Sequence, residues 1–383
     1  MIYLSLLCFL VCLLGIHILY PQVLKKISIR HAEIGKATAV GPRRYQKNPF
    51  VSIILPVHNE ELVIERRLNN IFESSYPSDQ MEIIVIDSGS SDNTSKIVKS
   101  RFNDKVTLVQ EALRCGKARA VNLGLSMSNG EIIILTDGPT LYEKDTISKI
   151  VESFEDPSVG GVTVLYEIPN ENNNRIVDSE SNLWAYKDRM RILESKVFST
   201  SWLSGEACAF RKRFIDKIPE DSLADDSNIA LQLISKGYKV IVNDRSNFIE
   251  KSPSTANDYF EVKTRRALGG LQETLRFRSF LFNKRYGYFG LLIFPYRFFL
   301  QVVSPIVSMT AIALIPLSIM ELSYYLGTFL TLVVALFLSG FIILFRSNVI
   351  GYIYLQIIML KALFLMLSRK INVLWVQSTT SRQ

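Results

Sequence analysis

The sequence predicts an α/β domain on a mostly parallel central sheet, with membrane helices before and after it. Three observations carry that expectation. Short β-branched apolar runs alternate with helical stretches between Val51 and Leu135, the pattern of βαβ units whose strands are buried on both faces. Acids stand where two such runs end: Asp87 after Met81 to Ile86, and Asp137 after Glu131 to Leu135. The two ends of the chain are far more apolar than its middle.

Taken in order, Ile2 to Tyr20 is an almost unbroken apolar run, long enough for one bilayer-spanning helix. A cleaved signal peptide is the rival reading. No charged segment precedes the run and no small-x-small site closes it, so a retained anchor over residues 1–24 is expected. Lys25, Lys26 and Arg30 follow, which places that flank and the middle domain in the cytoplasm. Residues 25–49 read as a basic connector with turn signals at Gly41-Pro42 and Asn48-Pro49.

The domain proper is expected over residues 50–280. Val51 to Pro56 is the first strand, and Glu61 to Phe72 carries apolar residues at helical spacing. Met81 to Ile86, Val106 to Val109 and Glu131 to Leu135 are further strands. Helices are expected from Asn93-Thr94 through Val98, from Gly116 to Met127, and from Glu143 to Phe154. A strand follows at Val162 to Tyr166. Next come a polar loop at Asn170 to Asn174 and a helix to about Val197. Gly205 lets backbone approach a ligand. Asp225 and Asp226 stand at the start of a helix, where its dipole tolerates anions, and Gly237 ends it. Tyr238 to Val242 is a short strand. Tyr259 to Arg276 is basic and helical, broken at Gly269-Gly270.

Residues 281–370 hold three further apolar runs, Phe294 to Met320, Leu322 to Phe345 and Val349 to Leu367. Each can span a bilayer or lie in its interface, and residues 371–383 are a tail. The protein is therefore expected in the cell membrane, multi-pass, with membrane lipids as partners. Its 383 residues carry a net charge of +8. The basic residues cluster beside the apolar ends, so the charge points to anionic lipid and not to nucleic acid. Four cysteines show neither metal spacing nor a disulfide framework.

Pro56-Val-His58-Asn-Glu60, Asp87-Ser-Gly-Ser-Ser-Asp92, Gly116-Lys117, Thr136-Asp137, Ser204-Gly205, Asp225-Asp226 and Arg265-Arg266 occur in that order. The set resembles the family 2 glycosyltransferases of GT-A fold, inverting enzymes that use nucleotide-diphosphate sugars. It looks most like their membrane-integrated branch, the hyaluronan, chitin and cellulose synthases and related lipid glycosyltransferases. The resemblance implies transfer from a UDP-sugar to a polysaccharide or lipid-linked acceptor.

By position it implies that Pro56, His58 and Glu60 border the nucleotide, Asp87 holds the base and Lys117 sits near the diphosphate. Asp137 matches the first acid of the DxD motif, which holds Mg2+ or Mn2+. Asp226, beside Asp225, matches the general base, and Arg265 or Arg266 the arginine that supports diphosphate departure. Gly205 and Glu206 would face the acceptor, Glu206 perhaps-in-place of a missing metal ligand being the least motivated of these roles. Two departures matter. Pro139 takes the place of the second DxD acid, and Lys263 to Gln272 lacks the tryptophan of QxxRW. Two alternatives follow: a polyprenyl-phosphate glycosyltransferase, whose nucleophile is already anionic, and a catalytically silent membrane scaffold that binds a sugar nucleotide. The sequence leaves the oligomeric state open.

Overall fold

The computed structural model describes residues 19–37, 48–169, 175–253, 255–314, 346–368 and several between 316 and 327. Most of the N-terminal anchor, the loop at 170–174, the run from Leu322 to Phe345 and the tail lie outside the described residues.

A single eight-stranded sheet organises the domain, in the order β3-β2-β1-β4-β7-β6-β8-β5. Its strands are β1 (Val51–Val57), β2 (Met81–Ser88), β3 (Thr107–Glu111), β4 (Ile132–Leu135), β5 (Leu141–Tyr142), β6 (Val159–Glu167), β7 (Cys208–Arg211) and β8 (Lys239–Ile249). β1 pairs parallel with β2 and β4, and β2 with β3, as βαβ units require. The other half departs from the expected mostly parallel sheet. β7 runs antiparallel to both β4 and β6, and β5 antiparallel to β8, so the sheet is mixed. β7 causes the change: it enters from a loop between β4 and β6, not from a crossover helix.

The helices are α1 (Tyr20–Ala37), α2 (Ile64–Phe72), α3 (Thr94–Phe102), α4 (Lys117–Met127), α5 (Thr146–Glu152), α6 (Arg175–Val197), α7 (Asp225–Ser235) and α8 (Ala256–Arg276). They cover both faces because strand side chains alternate. On β1, Val51, Ile53 and Leu55 pack with Ile64, Leu68 and Ile71 of α2 and Val98 of α3. Ile54, between them, points into the opposite layer with Val121 and Leu125 of α4 and Ile229 and Leu233 of α7.

The expected break at Gly269-Gly270 is absent, and α8 runs through both glycines. They serve close packing instead. A Cβ on Gly269 would lie 3.0 Å from the Leu223 carbonyl carbon and from Ala224 Cβ, and one on Gly270 would lie 2.9 Å from Gln301 Nε2. α8 can therefore lie directly on the segment that leads into Asp225 and Asp226.

The region read as a basic connector begins as α1. Tyr20 donates to Glu194 of α6 at 2.7 Å, and Leu24 is fully buried. Among the described residues one helix is long and apolar enough to cross a membrane: α9 (Phe289–Leu314), with a mean hydropathy of 1.6. Two π-helical turns, Phe289–Ile293 and Phe299–Val303, precede Pro295 and Pro305 closely. Each proline lacks the N–H that a regular turn needs, and a widened turn accommodates the gap. α10 (Arg346–Leu367) is apolar over the shorter stretch Tyr354–Leu367 and packs along α8. One candidate span does not establish membrane helices at both ends.

Candidate active site

The strand directions bring the chemistry to one edge of the sheet. β2 ends at Asp87-Ser88, with Asp87 level with Val57 of β1. β4 ends at Leu135, and Thr136 and Asp137 follow. β7 is antiparallel, so the residues before it, Gly205 and Glu206, arrive at the same edge. β8 is parallel to β6, which places Glu250 there as well.

Lys117 is the hub. It opens α4 directly after Gly116, whose φ of 94° suits glycine and turns the chain sharply into the helix. Its Nζ lies 2.7 Å from Asp137 Oδ1 and 3.8 Å from Asp225 Oδ2. A Cβ on Gly205 would stand 3.3 Å from Lys117 Nζ and 3.7 Å from Asp226 Oδ2. Lys117, Asp137, Gly205, Asp225 and Asp226 thus share one small space, left open because Gly205 has no side chain.

Burial opposes the Lys117 charge, but Asp137 and Asp225, with Asp226 behind them, outweigh it and hold its pKa above the ordinary value. Burial, with the charge of Asp225, pushes the Asp226 carboxyl up to about 7. Its Oδ1 accepts from the Ser227 N–H at 2.6 Å. Asp225 Oδ2 is buried with no hydrogen-bond partner.

The two arginines separate. Burial pulls the Arg265 pKa down, Asp225 is the strongest counter-charge against it, and its Nε has no partner. Arg265 therefore joins the acid cluster. Arg266 pairs with Glu206 at 2.9 Å.

The nucleotide-side residues form an adjoining group. Asp87 accepts from the Ser90 N–H at 2.9 Å and from the Ser95 hydroxyl, so its carboxylate is engaged by the Ser-rich turn and not by the acid cluster. His58 Nδ1 donates to the Ser88 carbonyl at 2.9 Å. Pro56 lies within β1, opposite Ile86. Glu60 packs on Gly138, where a Cβ would come 3.2 Å from its Cδ. Two contacts tie this group to the cluster: Glu60 beside the residue after Asp137, and Ser88 Oγ, which accepts from the Cys115 N–H at 3.4 Å.

Sequence reasoning missed three supports. Burial, followed by Glu206 and Asp137, pushes the Glu250 carboxyl up to about 8, and Thr140 donates to it at 2.7 Å. Arg67 is fully buried beneath the site and donates to Thr136 Oγ1 at 2.6 Å, with its guanidinium 4.2 Å from the centre of the Tyr142 ring. Thr136 and Tyr142 each donate to the Glu206 carbonyl at 2.8 Å. Glu250 obeys the strand-end rule that revealed Asp87 and Asp137, and a strand extended to Ile249 would have exposed it.

A mixed α/β sheet with acids at one edge around a buried lysine defines a nucleotide-sugar transferase of GT-A type. Residues 52–218 match the family model described as glycosyl transferase family 2, and the chain carries a family 2 glycosyltransferase domain. The probable glycosyltransferase YdaM of Bacillus subtilis (strain 168) is 26% identical over 304 residues, which are 75% of this chain and 72% of that protein. The beta-monoglucosyldiacylglycerol synthase of Trichormus variabilis is 27% identical over 263 residues, 64% of this chain and 55% of the relative. The match thus spans little more than half of that synthase. The solved mannosyltransferase PcManGT from Pyrobaculum calidifontis, in complex with GDP-Man and Mn2+, superposes with a TM-score of 0.73 at 23% identity. It covers 96% of this chain and 99% of its own, and it confirms the fold.

The donor set suits a divalent cation. Among the described residues no three His, Cys, Asp or Glu side chains form a ready cage. Asp137 and the orphaned Oδ2 of Asp225 nevertheless meet around Lys117. Magnesium-type sites commonly take one or two carboxylates and complete their shell with phosphate oxygens and water.

Proposed function

We propose that the protein is a membrane-associated, inverting glycosyltransferase that moves a sugar from a nucleoside-diphosphate sugar to a lipid-linked or polysaccharide acceptor. The observation that carries this reading is the convergence of Lys117, Asp137, Gly205, Asp225 and Asp226 on one space. Asp226, first held protonated by burial and Asp225, is the base that takes the proton of an acceptor hydroxyl once ionised. Gly205 leaves room for that hydroxyl. Asp87 and the β1–α2 turn hold the base of the nucleotide. Lys117 and Arg265 hold the departing diphosphate through charge-assisted hydrogen bonds. When bound at Asp137, Mg2+ or Mn2+ would neutralise charge on the diphosphate. The α9 helix and the basic flank at Lys25, Lys26 and Arg30 support a membrane location with the catalytic domain on the cytoplasmic side.

The test offers purified full-length protein in detergent a panel of UDP- and GDP-sugars with Mg2+ or Mn2+ and records nucleoside diphosphate release. Release with one donor class is expected. Nucleotide binding without release from any donor would favour the silent scaffold instead.

Gly269 gives a separate check on the site's assembly. Gly269→Val forces α8 away from Leu223 and Ala224, and so moves Arg265 relative to Asp225. Turnover is expected to fall by about tenfold or more, since small misplacements cost heavily in rate. The thermal midpoint should drop by a few degrees only, read from unfolding in the same detergent. Undiminished turnover would show that the close approach is not needed.

A further inference from the structure

A second group of charged and aromatic side chains adjoins Glu206 and has no part in the reading above. α6 presents Glu180, Trp184, Lys187, Asp188 and Arg191 at spacings that share one helix face. α8 adds Tyr259 and Lys263, and the segment before Gly205 adds Trp202. Both carboxylates of α6 are taken. Glu180 accepts from Trp184 Nε1 at 2.6 Å and from the Tyr259 hydroxyl at 2.9 Å, and it pairs with Lys263. Asp188 accepts from Arg191 Nη1 at 2.7 Å and from the Tyr166 N–H at 3.2 Å.

The donors are not all satisfied. Arg191, only 3% exposed, buries Nε and Nη2 with no partner, and Trp202 Nε1 is likewise orphaned. Lys187 Nζ stands 4.7 Å from the centre of the Trp184 ring and 5.6 Å from that of Trp202, and the Arg191 guanidinium stands 5.5 Å from the Trp202 ring. Lys187, Arg191 and Lys263 thus face two carboxylates, which leaves positive charge in excess. Burial, with Lys263 and then Arg266 and Arg191 adding repulsion, pushes the Lys187 ammonium down to about 7. Such a cation is penalised until an anion arrives.

Buried N–H groups without acceptors are rare and costly, and everything unpaired here is a donor. The missing ligand is therefore an acceptor with negative charge. An arginine edge and an ammonium together match the oxygens of a phosphate. The indole faces suit an adjoining sugar or isoprenoid unit. On the far side, Tyr259 reaches Tyr354 of α10 with ring centres 6.4 Å apart. Beyond it, Ile357 and Phe364 expose an apolar face on α10 along which a lipid tail can lie.

We infer that Lys187 and Arg191, framed by Trp184 and Trp202, bind the phosphate of a lipid-phosphate acceptor beside the transfer site. The inference rests on the glycosyltransferase reading and narrows its acceptor. It gives these cations a role apart from the donor diphosphate, which falls to Lys117 and Arg265, with the Glu206 carboxylate as neighbour to both groups.

The chain has three tryptophans, so Trp375→Phe leaves Trp184 and Trp202 as the reporting indoles. In that background, full-length protein in a maltoside detergent is titrated with farnesyl phosphate, farnesol and inorganic phosphate while tryptophan emission is read. Saturable binding of farnesyl phosphate is expected, at least tenfold tighter than either farnesol or inorganic phosphate. Lys187→Gln, at a half-buried position, should weaken it at least tenfold and leave the affinity for UDP- or GDP-sugars within twofold. Arg191→Lys, which keeps charge but loses the guanidinium edge, should weaken it as well at an unchanged thermal midpoint. Equal binding of farnesol removes the phosphate from the argument, and equal binding of inorganic phosphate removes the lipid. A matching loss of donor affinity in Lys187→Gln assigns the cations to the donor and overturns the inference. Donor turnover that persists without farnesyl phosphate binding sinks this inference alone, whereas absent donor binding and turnover sinks the glycosyltransferase reading.

Discussion

Asp226→Asn is expected to abolish transfer and, at the same time, to make the protein more stable above neutral pH. Loss of a general base costs on the order of 10²–10⁴-fold in rate. The stability gain follows from the raised carboxyl. Burial and Asp225 lift Asp226 to about 7 in the folded protein, whereas an unfolded aspartate titrates near ~3.9. Between those values the native state holds a proton that the unfolded chain has released, so stability falls as pH rises through that window. Asparagine removes this loss and retains an Oδ1 for the Ser227 N–H. The variant should gain on the order of a few kcal/mol at pH 8 and little at pH 4. Paired thermal melts at the two pH values and a nucleoside diphosphate assay check both parts. In the wild type, kcat/KM should rise with pH through about 7. Residual activity above a tenth would point to an acceptor that is already ionised, and would remove the base role from Asp226.

Asp137→Asn should lower kcat/KM by about 10²–10³-fold, the usual effect of losing one preorganised electrostatic contact at a reacting centre. It also removes the partner of Lys117 at 2.7 Å. The activity left should respond weakly to added Mn2+, while wild type is silenced by a chelator and restored by metal. A variant with wild-type metal dependence would exclude Asp137 as a ligand.

The parts of the site that could be read from sequence are those governed by local rules. Asp87 and Asp137 follow apolar strands, and Asp225 and Asp226 open a helix, so each position is marked by its immediate neighbours. Glu250 escaped because Asn243 to Asn247 carries charged and polar residues that do not look like a strand. Pairing with β6 and β5 holds that stretch extended, and tertiary contacts override its local preference. Gly269 and Gly270 were misread for a similar reason. A glycine pair weakens a helix in isolation, but the benefit of close approach to Leu223 and Gln301 comes from segments distant in sequence. The mixed sheet was hidden because strand direction is not written in hydrophobic pattern. The split of Arg265 from Arg266 needed the helix to be set against both Asp225 and Glu206.

The joint between β4 and β7 has an evolutionary reading. On one side of it, successive crossovers lock Asp87, Lys117 and Asp137 into a frame where any shift disturbs several strands together. On the other, Trp202 to Glu206 hang from a short reversed strand, fed by a helix whose face can change one residue at a time. Drift in that half can retune what receives the sugar while what delivers it stays intact, so relatives of this chain should diversify by acceptor sooner than by donor.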